Sequence, residues 1–171
     1  MLLVDSREKW TQEGSKDKHL AGYFARHKIP FKVQKLDVGD YMLDGGSVTI
    51  DRKQNVDEIC KNLTNRADRQ RFIAEVRRAC MQGLQLVVLI ESNKYKSPAD
   101  LRAWRSKYSK VPGSAVCKQM ERLRLAYGVE FRFCAKASAP RVILQILMDA
   151  KRKGVDFDGL RKRDPGKSPG V

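Results

Sequence analysis

Short apolar runs alternate along the chain with stretches whose apolar residues recur at helical spacing. Leu2-Leu3-Val4 predicts a brief buried strand that delivers the polar Asp5, Ser6, Arg7 and Glu8 at its C-terminal end. Leu20, Tyr23, Phe24 and His27 share one helical face, and Ile29-Pro30 stops that helix before residues 31–36 resume as a strand. Residues 40–43 and 47–51 read as the arms of a hairpin around Asp44-Gly45-Gly46, where glycine supplies the positive φ of a tight reversal. Ile59 and Leu63 mark a short helix, and a longer one from about Asp68 aligns Phe72, Val76, Ala79 and Cys80, with Gly83 as its stop. Residues 84–90 are continuously apolar up to Glu91, which predicts a central strand buried on both faces. Val116, Met120, Leu123 and Tyr127 mark another helix, residues 129–133 alternate as a strand, and Ser138 is placed to cap a last helix. The order β-α-β-β-β-α-α-β-α-β-α predicts an α/β sandwich: a mixed sheet with helices on both faces and an antiparallel hairpin inserted early.

At 171 residues the chain can bury one core. The domain is expected to span residues 1–152. Periodicity then fades into Lys, Arg, Asp, Gly and Pro, so residues 153–171 are expected to form a basic, flexible tail. Thirty-five Lys and Arg against twenty Asp and Glu give a net charge of +15, which makes a polyanion the natural partner, although charge alone does not separate DNA from RNA or an anionic membrane. The four cysteines form no CxxC pair, and neither His19 nor His27 stands at zinc-finger spacing from them. Buried free thiols in a reducing, intracellular compartment are expected instead. No basic leader with a long apolar run opens the chain and no segment reaches membrane-spanning length, so a soluble, unexported protein without a membrane role is expected.

The hairpin carries the chemistry. Asp51 and Lys53 stand two apart on one strand and project to the same face, with Arg52 turned the other way. Asp40, at the start of the partner arm, can be brought toward Asp51. Two carboxylates beside an ammonium suit a hard cation such as Mg²⁺, which acts as a Lewis acid and lowers the pKa of a bound water. Lys53 can orient or deprotonate that water, or neutralise charge on phosphorus oxygens. Taken alone, the triplet also fits a solvated strand of alternating charge.

Val4-Asp5-Ser6-Arg7-Glu8, then Val38-Gly39-Asp40-Tyr41, then Ile50-Asp51-Arg52-Lys53 with Asp57 four residues on, followed by Leu89-Ile90-Glu91, resembles the XPF-type structure-specific endonuclease family. The likeness runs from about Leu2 to Met148. It implies a restriction-endonuclease-like, PD-(D/E)XK three-layer fold, and a metal-dependent endonuclease acting on branched or distorted DNA in repair or recombination. Asp40 and Asp51 would bind Mg²⁺, with Mn²⁺ able to substitute, and Asp5 would help hold the metal. Lys53 would assist the attacking water, and Arg52 would support the geometry or a phosphate. Arg7, Glu8 and Asp57 would be secondary. Asp57 also suits the first turn of a helix on dipole grounds, and Arg7 and Glu8 can pair with each other at the surface. Two departures stand out: Asp51 occupies the place of the family's usual Glu, and the chain has no room for helix-hairpin-helix or helicase regions. A Holliday-junction resolvase or restriction-type nuclease, and a non-catalytic DNA-binding pseudonuclease, are the competing readings.

Residues 93–110 place Lys94, Lys96, Arg102, Arg105, Lys107 and Lys110 among Tyr95, Trp104 and Tyr108, opposed by Asp100 alone. The cations would contact phosphates and the aromatics stack on exposed bases of branched or partly single-stranded DNA; equally, a solvated loop could pack Trp104 on the core. Arg66, Arg69, Arg71, Arg77 and Arg78 form a second basic stretch, where Glu75 can pair with Arg71 or Arg78 and leave an ordinary charged helix face. In the last helix Val142, Ile143, Leu144, Ile146, Leu147 and Met148 exceed one core-facing stripe. The family pairs through its late helices, so a homodimer is expected there, against a deeply buried helix in a monomer; a separate subunit supplying DNA specificity is the other assembly.

Overall fold

In a computed structural model, residues 1–11 and 18–153 are described. The strands are β1 (Leu2–Asp5), β2 (Phe31–Gln34), β3 (Tyr41–Leu43), β4 (Val48–Lys53), β5 (Gln85–Glu91) and β6 (Glu130–Cys134). The helices are α1 (Lys18–Arg26), α2 (Val56–Thr64), α3 (Arg66–Met81), α4 (Gly113–Tyr127) and α5 (Ala139–Lys153), with short 3-10 turns at Lys9–Thr11, Pro98–Ala103 and Lys136–Ser138. The order of strands and α-helices is the one that the apolar pattern predicts.

The six strands form one mixed sheet in the order β2-β1-β3-β4-β5-β6. β1 runs parallel to β2 and antiparallel to β3, β3 and β4 form the hairpin, and β4, β5 and β6 are parallel. Leu86, Val88 and Ile90 of β5 pack with α2, α3 and α4, whereas Val87 and Leu89 join Leu2, Val4, Val48 and Ile50 under α1 and α5. This is the three-layer α/β arrangement of the restriction-endonuclease-like fold. β5 is buried on both faces as its continuous apolar run requires. α3 ends where Gly83 takes a φ of 66° and the Leu84 N–H reaches back to the Ala79 carbonyl, 2.8 Å.

Several expectations change. Residues 93–110 are not wholly loop: Ser97 and Asp100 form a capping box over the Pro98–Ala103 turn, which sinks Leu101 and Trp104 into the core beneath α4. Ser138 does not cap α5, since its hydroxyl donates backwards to the Ala135 carbonyl at 2.9 Å. The thiols are free, but Cys80 is exposed on α3 and Cys117 half-buried; Cys60 and Cys134 are buried. α5 buries Ile143, Leu144, Ile146 and Leu147 within this chain, leaving Val142 partly covered and Met148 exposed. The apolar excess that motivates a dimer is thus largely absorbed by the fold. The expected tail, beyond Lys153, lies outside the described residues. Among the described residues no helix is long and apolar enough to cross a membrane.

Candidate active site

The pleat of β4 separates two chemistries. Thr49, Asp51 and Lys53 face α2 and α3, and Arg52 faces the α1 side with Val48 and Ile50. Tyr41 pairs with Ile50 across the hairpin, which sets Asp40 beside Asp51. The Asp40 N–H donates to the Ile50 carbonyl at 2.7 Å, and the Asp40 Oδ2 accepts the Arg52 N–H at 2.7 Å. This close approach needs Gly39, whose φ is 68° and whose place a Cβ would bring within 2.2 Å of Thr49 Oγ1.

Asp51 is buried. Its Oδ1 meets Lys53 Nζ at 2.8 Å, and its Oδ2 has no hydrogen-bond partner. Burial, then the negative charges of Asp51 and Glu8, push the Asp40 carboxyl well above the usual carboxylate range, against the Arg52 N–H and Lys53. Burial alone would lower Lys53, but Asp51 and Asp40 hold its pKa above the ordinary value, so it stands as an ammonium, 5.6 Å from the Phe72 ring centre. Asp40 and Asp51 are therefore an under-neutralised acid pair that could take a cation. Among the described residues no group of three or more His, Cys, Asp or Glu is arranged to hold a metal by itself, so such an ion would complete its shell with water.

Asp5 is differently placed. Its carboxylate accepts the Arg7 N–H, Nε and Nη2 at 2.7, 2.6 and 3.1 Å, and the Leu36 N–H at 2.6 Å. Burial raises its pKa, and the Arg7 and Leu36 bonds more than offset that, leaving it lowered. With both oxygens so committed, Asp5 fixes β1 to the segment before Asp40 and is not an open ligand. Arg7 and Glu8 do not pair with each other. Glu8 accepts from the Tyr41 hydroxyl, and Arg52 bonds Glu8 at 3.3 Å and Glu91 at 2.8 Å, with the Arg52 and Glu91 side chains both buried. Trp10 Nε1 closes this network on the Tyr41 oxygen, 2.7 Å. Arg52 thus braces β4 from behind rather than facing the acids. Asp57 accepts from Ser106 Oγ at 2.6 Å and anchors the loop before α4, in the first turn of α2.

Glu75 was not foreseen at this site. It makes no pair with Arg71 or Arg78; its Oε1 accepts the Gly39 N–H at 2.9 Å, and burial followed by the charge of Asp51 raises its pKa. The available signal was its place on α3 flanking Phe72, Val76 and Ala79, on the edge of the core stripe. Of the expected DNA contacts, Trp104 is buried and Tyr95 half-buried under Lys94, whereas Lys94, Lys96, Arg102, Arg105, Lys107, Tyr108 and Lys110 are exposed. Base stacking on Trp104 is therefore excluded.

The sequence model of the ERCC4 domain matches residues 4–145. XPF from Aeropyrum pernix superposes with a TM-score of 0.59 at 19% identity, covering 93% of this chain and 69% of that one. The structure described as XPF from Aeropyrum pernix in complex with DNA gives a TM-score of 0.62 at 16% identity, over 89% of this chain and 65% of that one. This chain thus spans about two thirds of those relatives. No curated protein matches it. With the family match running from β1 into α5 and the fold shared with XPF, this chain belongs to the ERCC4 domain family.

Proposed function

We propose that the protein is a metal-dependent endonuclease that hydrolyses DNA phosphodiester bonds, with Asp40 and Asp51 holding Mg²⁺ or Mn²⁺. The observation that carries this reading is the buried Asp51 Oδ2, which no protein group satisfies, beside a second carboxylate across the hairpin. When bound, the cation supplies Lewis acidity and a more acidic water. Lys53, 2.8 Å from Asp51, is placed to stabilise negative charge on the phosphoryl oxygens. Arg52, Glu91 and Glu8 keep β4 fixed behind the site, and Asp5 with Arg7 keeps β1 fixed beside it. The aspartate in place of the family's glutamate is one methylene shorter and retains the same oxygen chemistry.

The DNA complex of a relative with this fold supports nucleic acid as substrate. Branched or distorted DNA in repair or recombination, within the cell, follows from the family likeness. A homodimer would use the exposed edge of α5 at Met148; a separate DNA-binding subunit is the other assembly. A pseudonuclease is disfavoured, because two acids set against a polyanion oppose binding unless a cation bridges them. The test incubates the protein with labelled duplex, flap, fork and four-way-junction DNA, with and without Mg²⁺, beside Asp40→Ala. Cleavage is expected to require both the metal and Asp40. Metal-independent binding with no cleavage of any substrate would reject the catalytic reading.

A further inference from the structure

We propose that the outer face of α3 is a second DNA contact, gripping the phosphodiester backbone of a duplex arm beside the cut; this rests on the nuclease reading above. Arg66, Arg69, Arg77 and Arg78 line a shallow groove of about 760 Å³ together with Ile73 and Met81, and no carboxylate lines it. The acids that would cancel this charge are spent elsewhere. Asp68 is taken by Arg71 at 2.5 Å and Lys61 at 3.5 Å, and Glu75 turns inward to Gly39. Arg66 and Arg69 enter no ion pair among the described residues. Arg77 and Arg78 touch only neutral oxygens, the Tyr127 hydroxyl at 3.4 Å and the Asp37 carbonyl at 3.3 Å, so their charge stays open to an anion.

The groove's neighbours and chemistry select the occupant. Arg78 stands against Asp37, three residues before Asp40, and Glu75 of the same helix reaches Gly39, so α3 carries this cationic face on the helix that also packs against the acid pair. Sixteen residues at helical rise make α3 about 24 Å long, the length of about seven base steps. The groove lining contains no aromatic side chain to stack on a base, so it reads phosphates and not sequence, as suits a paired arm. Ile73 is half-buried, and Met81, 84% exposed, is a poor anchor for a protein partner, which would need a deeper apolar pocket.

The experiment measures binding of the full chain to a duplex-armed fork in EDTA across a salt series. The unaltered protein is compared with Arg66→Gln/Arg69→Gln and with Lys94→Gln/Lys96→Gln. Each lost phosphate contact lowers the slope of log affinity against log salt by about 0.9, so the α3 double variant is expected to lose about 1.8 from the slope and about tenfold in affinity, with an unchanged melting temperature. An unchanged slope and affinity in that variant overturns the proposal, even if the unaltered protein cleaves DNA. Weakened binding of a poly-glutamate peptide with DNA affinity intact would assign the face to an acidic protein and overturn it as well. Should the variant lose DNA while the unaltered protein cleaves nothing with Mg²⁺, the contact stands and the catalytic reading alone fails. Absence of DNA binding by the unaltered protein in EDTA overturns this contact, and the catalytic reading is then judged by the Mg²⁺ cleavage assay alone.

Discussion

Asp40 shows how a single residue reports an unmet charge. Its pKa is raised by burial and by the negative charges of Asp51 and Glu8. The sign follows: this group stabilises the metal-free protein at low pH, and that contribution fades as pH rises through its folded pKa. A divalent ion needs the carboxylate, so Mn²⁺ binding is expected to release a proton below that pKa and to tighten as pH rises through it. Calorimetry in buffers of different ionisation heat reads this directly; pH-independent affinity with no proton release would contradict it. Glu75 makes a second test at this scale. Glu75→Ala strands the Gly39 N–H and is expected to cost about 1–3 kcal/mol in denaturant unfolding, whereas Glu75→Gln keeps an acceptor and recovers most of it. Equal losses in the two variants would show that the bond does not hold Gly39.

β4 is a single strand with two unlike faces, and its rear face is as constrained as its front. Arg52→Ala would leave the buried Glu91 without this cation and remove one from half-buried Glu8, and a loss of about 3–5 kcal/mol is expected by chemical denaturation. A loss below about 1 kcal/mol would mean that solvent reaches this network. The segment before α4 divides the same way. Trp104→Ala empties a core position and is expected to destabilise by about 3–5 kcal/mol, while Tyr108, 85% exposed, tolerates alanine within about 0.5 kcal/mol. Near-equal stabilities of the two variants would place Trp104 outside the core.

Among the described residues the buried charges gather around β1, β4 and β5, as Asp5, Asp51, Arg52, Lys53 and Glu91, whereas the arginines of α3 are exposed. Asp51 of β4 and the buried Glu91 of β5, with Asp40 across the hairpin, gather negative charge near the C-terminal end of these parallel strands. A bound divalent ion relieves that concentration for the fold as a unit. At a hundredfold its dissociation constant, Mn²⁺ is expected to stabilise the protein by about 2.7 kcal/mol, an effect that Asp51→Asn removes and that a chelator reverses. Thermal unfolding with and without Mn²⁺ measures it, and equal stabilisation of Asp51→Asn would move the ion elsewhere.

The sequence alone determined the number, order and kind of the strands and helices, because run length and apolar period are local properties that burial on one or two faces imposes directly. It also determined that Asp51 and Lys53 share a face with Arg52 opposed, since a strand alternates whatever surrounds it. Only the tertiary structure decided which acids are left open. Asp5 is satisfied by Leu36, Arg52 by Glu91 and Gly39 by Glu75, partners 31, 39 and 36 positions apart, and no local pattern encodes such pairings. The burial of Trp104 and the covering of α5 are of the same kind, for an apolar residue shows that it will be covered but not by what.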